Sequence, residues 1–118
     1  MKKVVTVTLA SSKKDFEFKT KFLGQEFQVR RFGADKDSSK AWELMRRQQA
    51  NADAIALSDM PDHYHVGLRT ITNRKSQHLM QVVTRVPVTT GASLRRLLQV
   101  RAVRYVQKEL GHYFNNNL

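Results

Sequence analysis

Two clusters of hydroxyl-bearing and small residues follow predicted strands, at positions where α/β proteins often hold ligands. They comprise Ser11, Ser12 and Lys13 after the first apolar run, and Thr89, Thr90, Gly91 and Ser93 before the longest helical segment. Ligands of open α/β sheets collect beyond the carboxyl ends of the strands, and the start of a helix offers unpaired N–H groups to an anion. We therefore predict that these residues form a crevice for an anionic small molecule such as a phosphate or a nucleotide.

The same residues also have a purely structural interpretation. Ser93 or Thr90 is suited to capping the following helix, and Ser11 with Ser12 is suited to a simple turn. Neither cluster matches the GxGxxG dinucleotide pattern or the P-loop pattern. The sequence therefore predicts a crevice, but it identifies neither the ligand nor any catalytic residue.

A group of histidines and aspartates raises the question of a metal site. Its members are Asp59, Asp62, His63 and His65. Such side chains can bind a metal, but no second group with suitable spacing follows, so we predict no metal site. The chain has no cysteine, which excludes disulfides, thiolate zinc sites and cysteine nucleophiles. Since no catalytic constellation is recognisable, we predict that this chain alone is not an active enzyme.

Basic residues are concentrated in the second half of the chain. The net charge is +11, and residues 60–118 hold nine Lys and Arg against two Asp and Glu, compared with twelve against eight in residues 1–59. The basic residues of the long predicted helix are Arg95, Arg96, Arg101, Arg104 and Lys108. The last three share one side of the helix, and together with Arg95 and Arg96 nearby they are a candidate surface for nucleic acid. The alternative is a solvated face on which long basic side chains cover apolar surface.

Length and composition indicate one domain without a membrane partner. A chain of 118 residues fits a single domain, and no apolar stretch approaches the roughly 20 residues that a membrane span needs. The N-terminal apolar run alternates with threonine and ends at charged residues, which is not the pattern of a secretion signal. We therefore predict a cytoplasmic protein.

Patterns of apolar residues predict the first elements that position these clusters. A strand covers residues 4–9, an alternating β-hairpin covers 15–31, and a helix begins after a cap at Asp37 or Ser38. A short buried strand follows at residues 54–57. Since that helix connects the hairpin to a further strand, the pattern predicts a mixed sheet.

The second half of the chain is predicted to add strands and two helices. Residues 64–71 form either a short strand or a tight hairpin through Gly67, and a helix runs from a cap at Thr72 or Asn73 to about Val83. Residues 86–89 form a strand in which Pro87 favours an edge or terminal position, and a helix over 92–110 ends with Gly111 as its C′ residue. The predicted fold is therefore an α/β domain with a three-layer-like mixed sheet, an N-terminal β-hairpin and about three helices.

The sequence resembles a family of proteins named quinate 5-dehydrogenase-like. The similar segments are residues 3–15, 23–27, 31–35, 40–44, 53–57 and 87–95. The turn after the first strand is Gly-Ser-Ser-Lys-Arg-Asp in type, with Ala10 here in place of the glycine. The resemblance implies that residues 1–118 are the N-terminal domain of a longer protein and pack against a downstream domain. It also implies NAD or NADP as the cofactor of that longer protein, and a homodimer is a further candidate assembly.

Overall fold

A computed structural model describes residues 1–111 as seven strands and three helices. The strands are β1 Lys2–Thr8, β2 Glu17–Phe22, β3 Gln25–Gly33, β4 Ala54–Ser58, β5 His63–Val66, β6 Arg69–Thr72 and β7 Val88–Thr89. The helices are α1 Ser38–Gln48, α2 Arg74–Gln81 and α3 Ala92–Glu109, and a 3-10 turn at Ser12–Lys14 follows β1. The predicted α/β fold with an N-terminal hairpin and three helices is confirmed.

The strands form one mixed sheet and one separate hairpin. The five-stranded sheet has the order β2-β3-β1-β4-β7, and β5 pairs with β6 apart from it. β1 runs parallel to β3 and β4, β4 runs parallel to β7, and β2 runs antiparallel to β3. Since β1, β3, β4 and β7 are parallel, their last residues meet at one end of the sheet, which we call the carboxyl end.

The core lies on one face of this sheet. Alternation along the strands turns Val5, Val7, Ile55 and Leu57 to the same side, where none of them is more than 2% exposed. Helices α1 and α2 cover this side through Ala41, Met45 and Leu79, which are equally buried. Full burial of a side chain such as that of Leu57 is worth about 1.5–3 kcal/mol relative to exposure. This face therefore supplies most of the cohesion of the domain.

The opposite face of the sheet carries no helix among the described residues. Its central positions are Val4 and Thr6 of β1 and Val29 of β3, which are only partly buried. The connections that contain α1 and α2 both cross the core face. The connection from β1 to β3 instead passes through the strand β2, which lies in the sheet and covers neither face. This face is therefore left open.

The ends of the elements follow local side-chain chemistry. Asp37 Oδ1 accepts hydrogen bonds from the N–H groups of Ser39 (2.9 Å) and Lys40 (3.3 Å), so Asp37 is the cap of α1. Asn73 caps α2 by accepting from Ser76 N–H at 3.3 Å. Leu110 is the C-cap of α3, so Gly111 follows the helix at the predicted C′ position, although its φ is not positive.

The third helix extends away from the core. Ala92 is its only buried residue, while Leu94, Leu98 and Tyr105 are each more than half exposed. Its apolar residues lie on more than one side of the helix, which is typical of helices that are covered by other protein. None of the helices among residues 1–111 is long and apolar enough to cross a membrane.

Candidate anion-binding site

The two predicted clusters lie at the carboxyl end of the sheet, on either side of β4. Thr8, the last residue of β1, pairs with Ser58 of β4, and Thr89 of β7 pairs with Ala56. Neighbouring strands are about 4.8 Å apart, so β1 and β7 are separated by roughly 10 Å. No hydrogen bond joins the two clusters within the part of the chain that the structure describes.

The first cluster is a turn whose polar groups bind a carboxylate of the protein. Ser12 donates its N–H to Asp35 Oδ1 at 2.7 Å and its hydroxyl to Asp35 Oδ2 at 2.8 Å. Lys40 Nζ reaches the same Oδ2 at 2.9 Å, and Lys13 N–H donates to the Ser11 hydroxyl at 3.2 Å. These contacts, led by the Ser12 N–H and then Lys40, hold the pKa of Asp35 far below its ordinary value. Asp35 therefore occupies the position that an external anion would need.

A close backbone approach fixes this turn further. A Cβ atom on Gly33 would lie 2.6 Å from the carbonyl carbon and oxygen of Ser11 and from the nitrogen of Ser12. Arg31 Nη1 donates to the Ser11 carbonyl at 3.0 Å and to Asp15 Oδ1 at 2.9 Å. The cluster at residues 11–13 is thus a rigid structural turn in this arrangement.

The second cluster starts α3 and ties it to the β5–β6 hairpin. Thr90 Oγ1 donates to Asp62 Oδ1 at 2.6 Å and accepts from Ala92 N–H at 3.3 Å. Gly91 N–H donates to Thr89 Oγ1 at 3.1 Å. Gly91 is the first cap residue of α3, with φ 75°, and has no side chain with which to accept a hydrogen bond. Ala92 N–H is taken by Thr90 and Arg95 N–H by the Gly91 carbonyl, so within residues 1–111 the N–H groups of Ser93 and Leu94 are the ones available to an external acceptor.

Asp62 links the hairpin to its surroundings. Its carbonyl accepts from Asn73 N–H at 2.8 Å, and its Oδ2 lies 3.2 Å from His63 Nδ1. The hydrogen bond from Thr90, followed by the one from His63, lowers the pKa of Asp62. The carboxylate thereby orients His63 towards the start of α3.

A cleft opens between this hairpin and the first half of α3, and we call it the α3–hairpin cleft. It encloses about 590 Å³ and is lined by His63, His65, Ser93, Arg96, Leu97 and Val100. An adjoining depression of about 250 Å³ lies between the same elements and includes Tyr64, Arg95 and Gln99. The larger volume is within the range of roughly 300–1,000 Å³ that small-molecule sites occupy.

The cleft is electropositive at its polar end. Arg96 Nη1 lies 3.5 Å from His65 Nε2, and the rings of His63 and His65 meet edge to face at 5.2 Å. Burial, followed by the charge of Arg96 and then that of His63, lowers the pKa of His65. Within residues 1–111, Arg96 forms no ion pair with a carboxylate. Its guanidinium is thus free to bind an anion in a bidentate manner.

The other sequence-predicted surfaces lie outside this cleft. Arg101, Arg104 and Lys108 are exposed further along α3, and binding of nucleic acid to them stays a prediction. Within residues 1–111, no three histidine, aspartate or glutamate side chains lie close enough together to hold a metal ion.

Sequence reasoning found part of the cleft and missed its charged members. Ser93 lines the cleft, and Thr90 supports it through Asp62. The sequence pattern places Arg96 in the basic surface predicted for nucleic acid and raises His65 only as a possible metal ligand. The spacing of Ser93 and Arg96, one helical turn apart, was the available signal, since residues three apart share a side of a helix.

One of three comparisons with known proteins gives a match. Residues 3–90 match a family model described as a domain of unknown function (DUF8753). The matched segment runs from the second residue of β1 to just beyond the end of β7, so it includes α1 and α2, and it ends before α3 begins. Neither the curated proteins nor the solved structures contain a match to the chain.

Proposed function

We propose that this chain, which belongs to the DUF8753 family of domains of unknown function, binds a phosphate-bearing small molecule in the α3–hairpin cleft. The observation that carries the proposal is the position of Arg96. Its guanidinium faces the cleft beside His65, at the start of an 18-residue helix, without a carboxylate partner among residues 1–111. A cationic side chain and unpaired helix N–H groups together favour a doubly charged oxyanion.

The apolar part of the cleft supports a nucleotide as the ligand. Leu97 and Val100 line the wall beyond Arg96, and Tyr64 lines the adjoining depression. Small-molecule sites usually combine such apolar walls with a few converging polar groups. The phosphate would bind at Arg96 and the base would rest on the apolar wall. The resemblance to quinate 5-dehydrogenase-like proteins remains a proposal and points to NAD or NADP.

We further propose that the chain contributes binding and not a complete reaction. The cleft holds Ser93, two histidines and an arginine, but within residues 1–111 no hydrogen bond joins the Ser93 hydroxyl to either imidazole as a nucleophile and its base would require. Reacting groups would then come from a downstream domain of a longer polypeptide. A cytoplasmic location is part of the same proposal, since phosphorylated metabolites are found there.

Calorimetric titration with pyrophosphate and with AMP tests this function. We expect saturable binding to the unaltered chain and roughly tenfold weaker binding to Arg96→Gln, since a lost charge-assisted hydrogen bond is worth about 1.5–3 kcal/mol. Arg101→Gln is the matched control, because it removes the same charge from an exposed position further along α3. Equal weakening by both substitutions would show non-specific attraction to a basic chain and would overturn the proposal.

A second candidate function is docking of α3 against a downstream domain of the same polypeptide. It is supported by the exposure of apolar side chains along α3, among them Leu98 and Val103 at 56% and 55%. Sedimentation over a range of protein concentrations tests it. We expect a monomer throughout, because a net charge of +11 opposes self-association. A dimer that Leu98→Glu abolishes would assign α3 to a second copy instead.

A further inference from the structure

Strand β2 lies at an edge of the sheet and has a row of backbone groups that pair with no other strand of residues 1–111. The Phe16 carbonyl accepts a hydrogen bond from Arg31 N–H at 2.9 Å, and the antiparallel register continues along the pair, with Phe18 opposite Val29. Backbone groups of an antiparallel strand alternate in direction. Phe18, Thr20 and Phe22 therefore turn their N–H and C=O groups towards β3. Those of Glu17, Lys19 and Lys21 point outwards, and no described strand pairs with them.

The side chains of β2 give its two faces opposite character. Phe16, Phe18 and Phe22 lie on the open face of the sheet and are 46%, 46% and 64% exposed. The rings of Phe16 and Phe18 lie 5.6 Å apart, and the half-buried Phe27 and Val29 of β3 extend the same apolar surface. Lys19 and Lys21 project from the other face and are exposed, with Glu26 of β3 opposite Lys21. Contiguous exposed apolar surface beside charged residues is typical of protein interaction sites.

The lysines decide which kind of strand can occupy this edge. When two copies of β2 pair over their whole length, Lys19 of one copy lies opposite Lys19 or Lys21 of the other. Glu17 offers little compensation, because it already pairs with Arg30 at 3.4 Å. Like charges directly opposite each other destabilise a strand pair, whereas opposite charges stabilise it. Edge lysines are a common defence against self-association, and here they favour an acidic strand over a second copy.

We propose that the edge of β2 accepts an extended segment of another protein in which acidic and apolar residues alternate. The segment adds a sixth strand to the sheet through the outward backbone groups of Glu17, Lys19 and Lys21. Its acidic side chains lie beside Lys19 and Lys21, and its apolar side chains cover Phe18 and Phe22. This surface is independent of the α3–hairpin cleft, since β2 and β7 occupy opposite edges of the sheet.

The probe is a blocked nine-residue peptide of alternating valine and glutamate. Alternate backbone nitrogens on its outer edge are methylated, so that it pairs through one edge only and cannot grow into larger sheets. Amide hydrogen exchange of the full chain is measured with and without the peptide. We expect new protection of the Lys19 and Lys21 N–H groups, while Phe18 and Thr20 are already protected by β3. No protection of Lys19 and Lys21 at millimolar peptide would overturn the proposal.

Charge reversal provides the second test. The double variant Lys19→Glu with Lys21→Glu is expected to bind the glutamate peptide roughly tenfold more weakly and to bind a valine–lysine peptide instead. The control variant, Lys75→Glu with Lys108→Glu, changes the net charge equally at exposed sites on α2 and α3. Equal weakening in both variants would overturn the proposal. So would protection of Lys19 that rises with protein concentration in the absence of peptide, because it would place a second copy on this edge.

Discussion

His65 couples the proposed ligand site to pH. Burial and the neighbouring Arg96 lower its pKa, so the imidazole is largely neutral at pH 7 in the free cleft. A bound anion near Arg96 would favour the charged form and raise this pKa. The anion therefore binds more tightly when His65 is protonated. This extra affinity is fully present below the pKa that His65 has in the free protein, and it is lost as pH rises through the higher pKa that His65 has in the complex.

Sulfate is the appropriate probe for this effect, because it does not titrate between pH 5 and 8. We expect sulfate to bind more tightly at pH 5 than at pH 8, because a protonated His65 would then stand beside the bound anion. His65→Gln should flatten the dependence. His78→Gln, on the exposed surface of α2, should leave it unchanged. An unchanged slope in the His65 variant, measured by calorimetry, would remove His65 from the site.

The turn at Ser11 and Ser12 makes a separate prediction about a single residue. Gly33→Ala would place a methyl group 2.6 Å from backbone atoms of that turn, which cannot rotate away. We expect a loss of about 1–3 kcal/mol in the free energy of unfolding, measured by urea denaturation. The control is Gly111→Ala, where an added Cβ would meet no atom of the described residues within 4 Å apart from its chain neighbours, and a change within about 0.5 kcal/mol is expected. Equal stability of both variants would contradict the close approach.

Among the elements, those with strong local signals were predictable from the sequence. Alternation of phenylalanine with charged residues identified the β2–β3 hairpin, and the side chains of Asp37 and Asn73 identified the starts of two helices. The packing of α3 could not be predicted. Its apolar residues indicate that the helix packs against other protein, but they do not indicate which surface it contacts. The position of Arg96 beside His65 depends on how the β5–β6 hairpin folds back, which is a tertiary contact without a local pattern.

The tether between α3 and the hairpin gives a prediction for these elements. Thr90→Val keeps the shape of the side chain but removes its hydrogen bond to Asp62. The pKa of Asp62 should rise towards its ordinary value, because the charged form loses a donor. The stability that this carboxylate contributes is present above pH of about 4 and is lost as pH falls through its lowered pKa in the folded state.

Amide exchange and the NMR titration of Asp62 measure the effect of this substitution. We expect roughly tenfold faster exchange across residues 63–72, in keeping with a charge-assisted bond worth about 1.5 kcal/mol. Thr84→Val is the control, because its hydroxyl takes part in no hydrogen bond within residues 1–111. Equal exchange rates in the two variants would show that the tether does not hold the hairpin.

For the whole molecule, the core ends before α3. The buried apolar cluster spans Val5 to Val83, whereas Leu98 of α3 is 56% exposed. Leu57→Ala should therefore cost about 2–5 kcal/mol of unfolding free energy, and Leu98→Ala should cost less than about 0.5 kcal/mol. Chemical denaturation measures both. A large loss from Leu98→Ala would mean that α3 packs against the domain in solution.

The most direct test of the ligand site is an NMR amide-shift titration of the full chain with pyrophosphate. Binding in the α3–hairpin cleft predicts saturable shifts at Ser93, Arg96 and His65, with the turn at Ser11 and Ser12 unaffected. Shifts confined to that turn, shifts spread evenly over the basic residues of α3, or no saturable shift at millimolar pyrophosphate would contradict it.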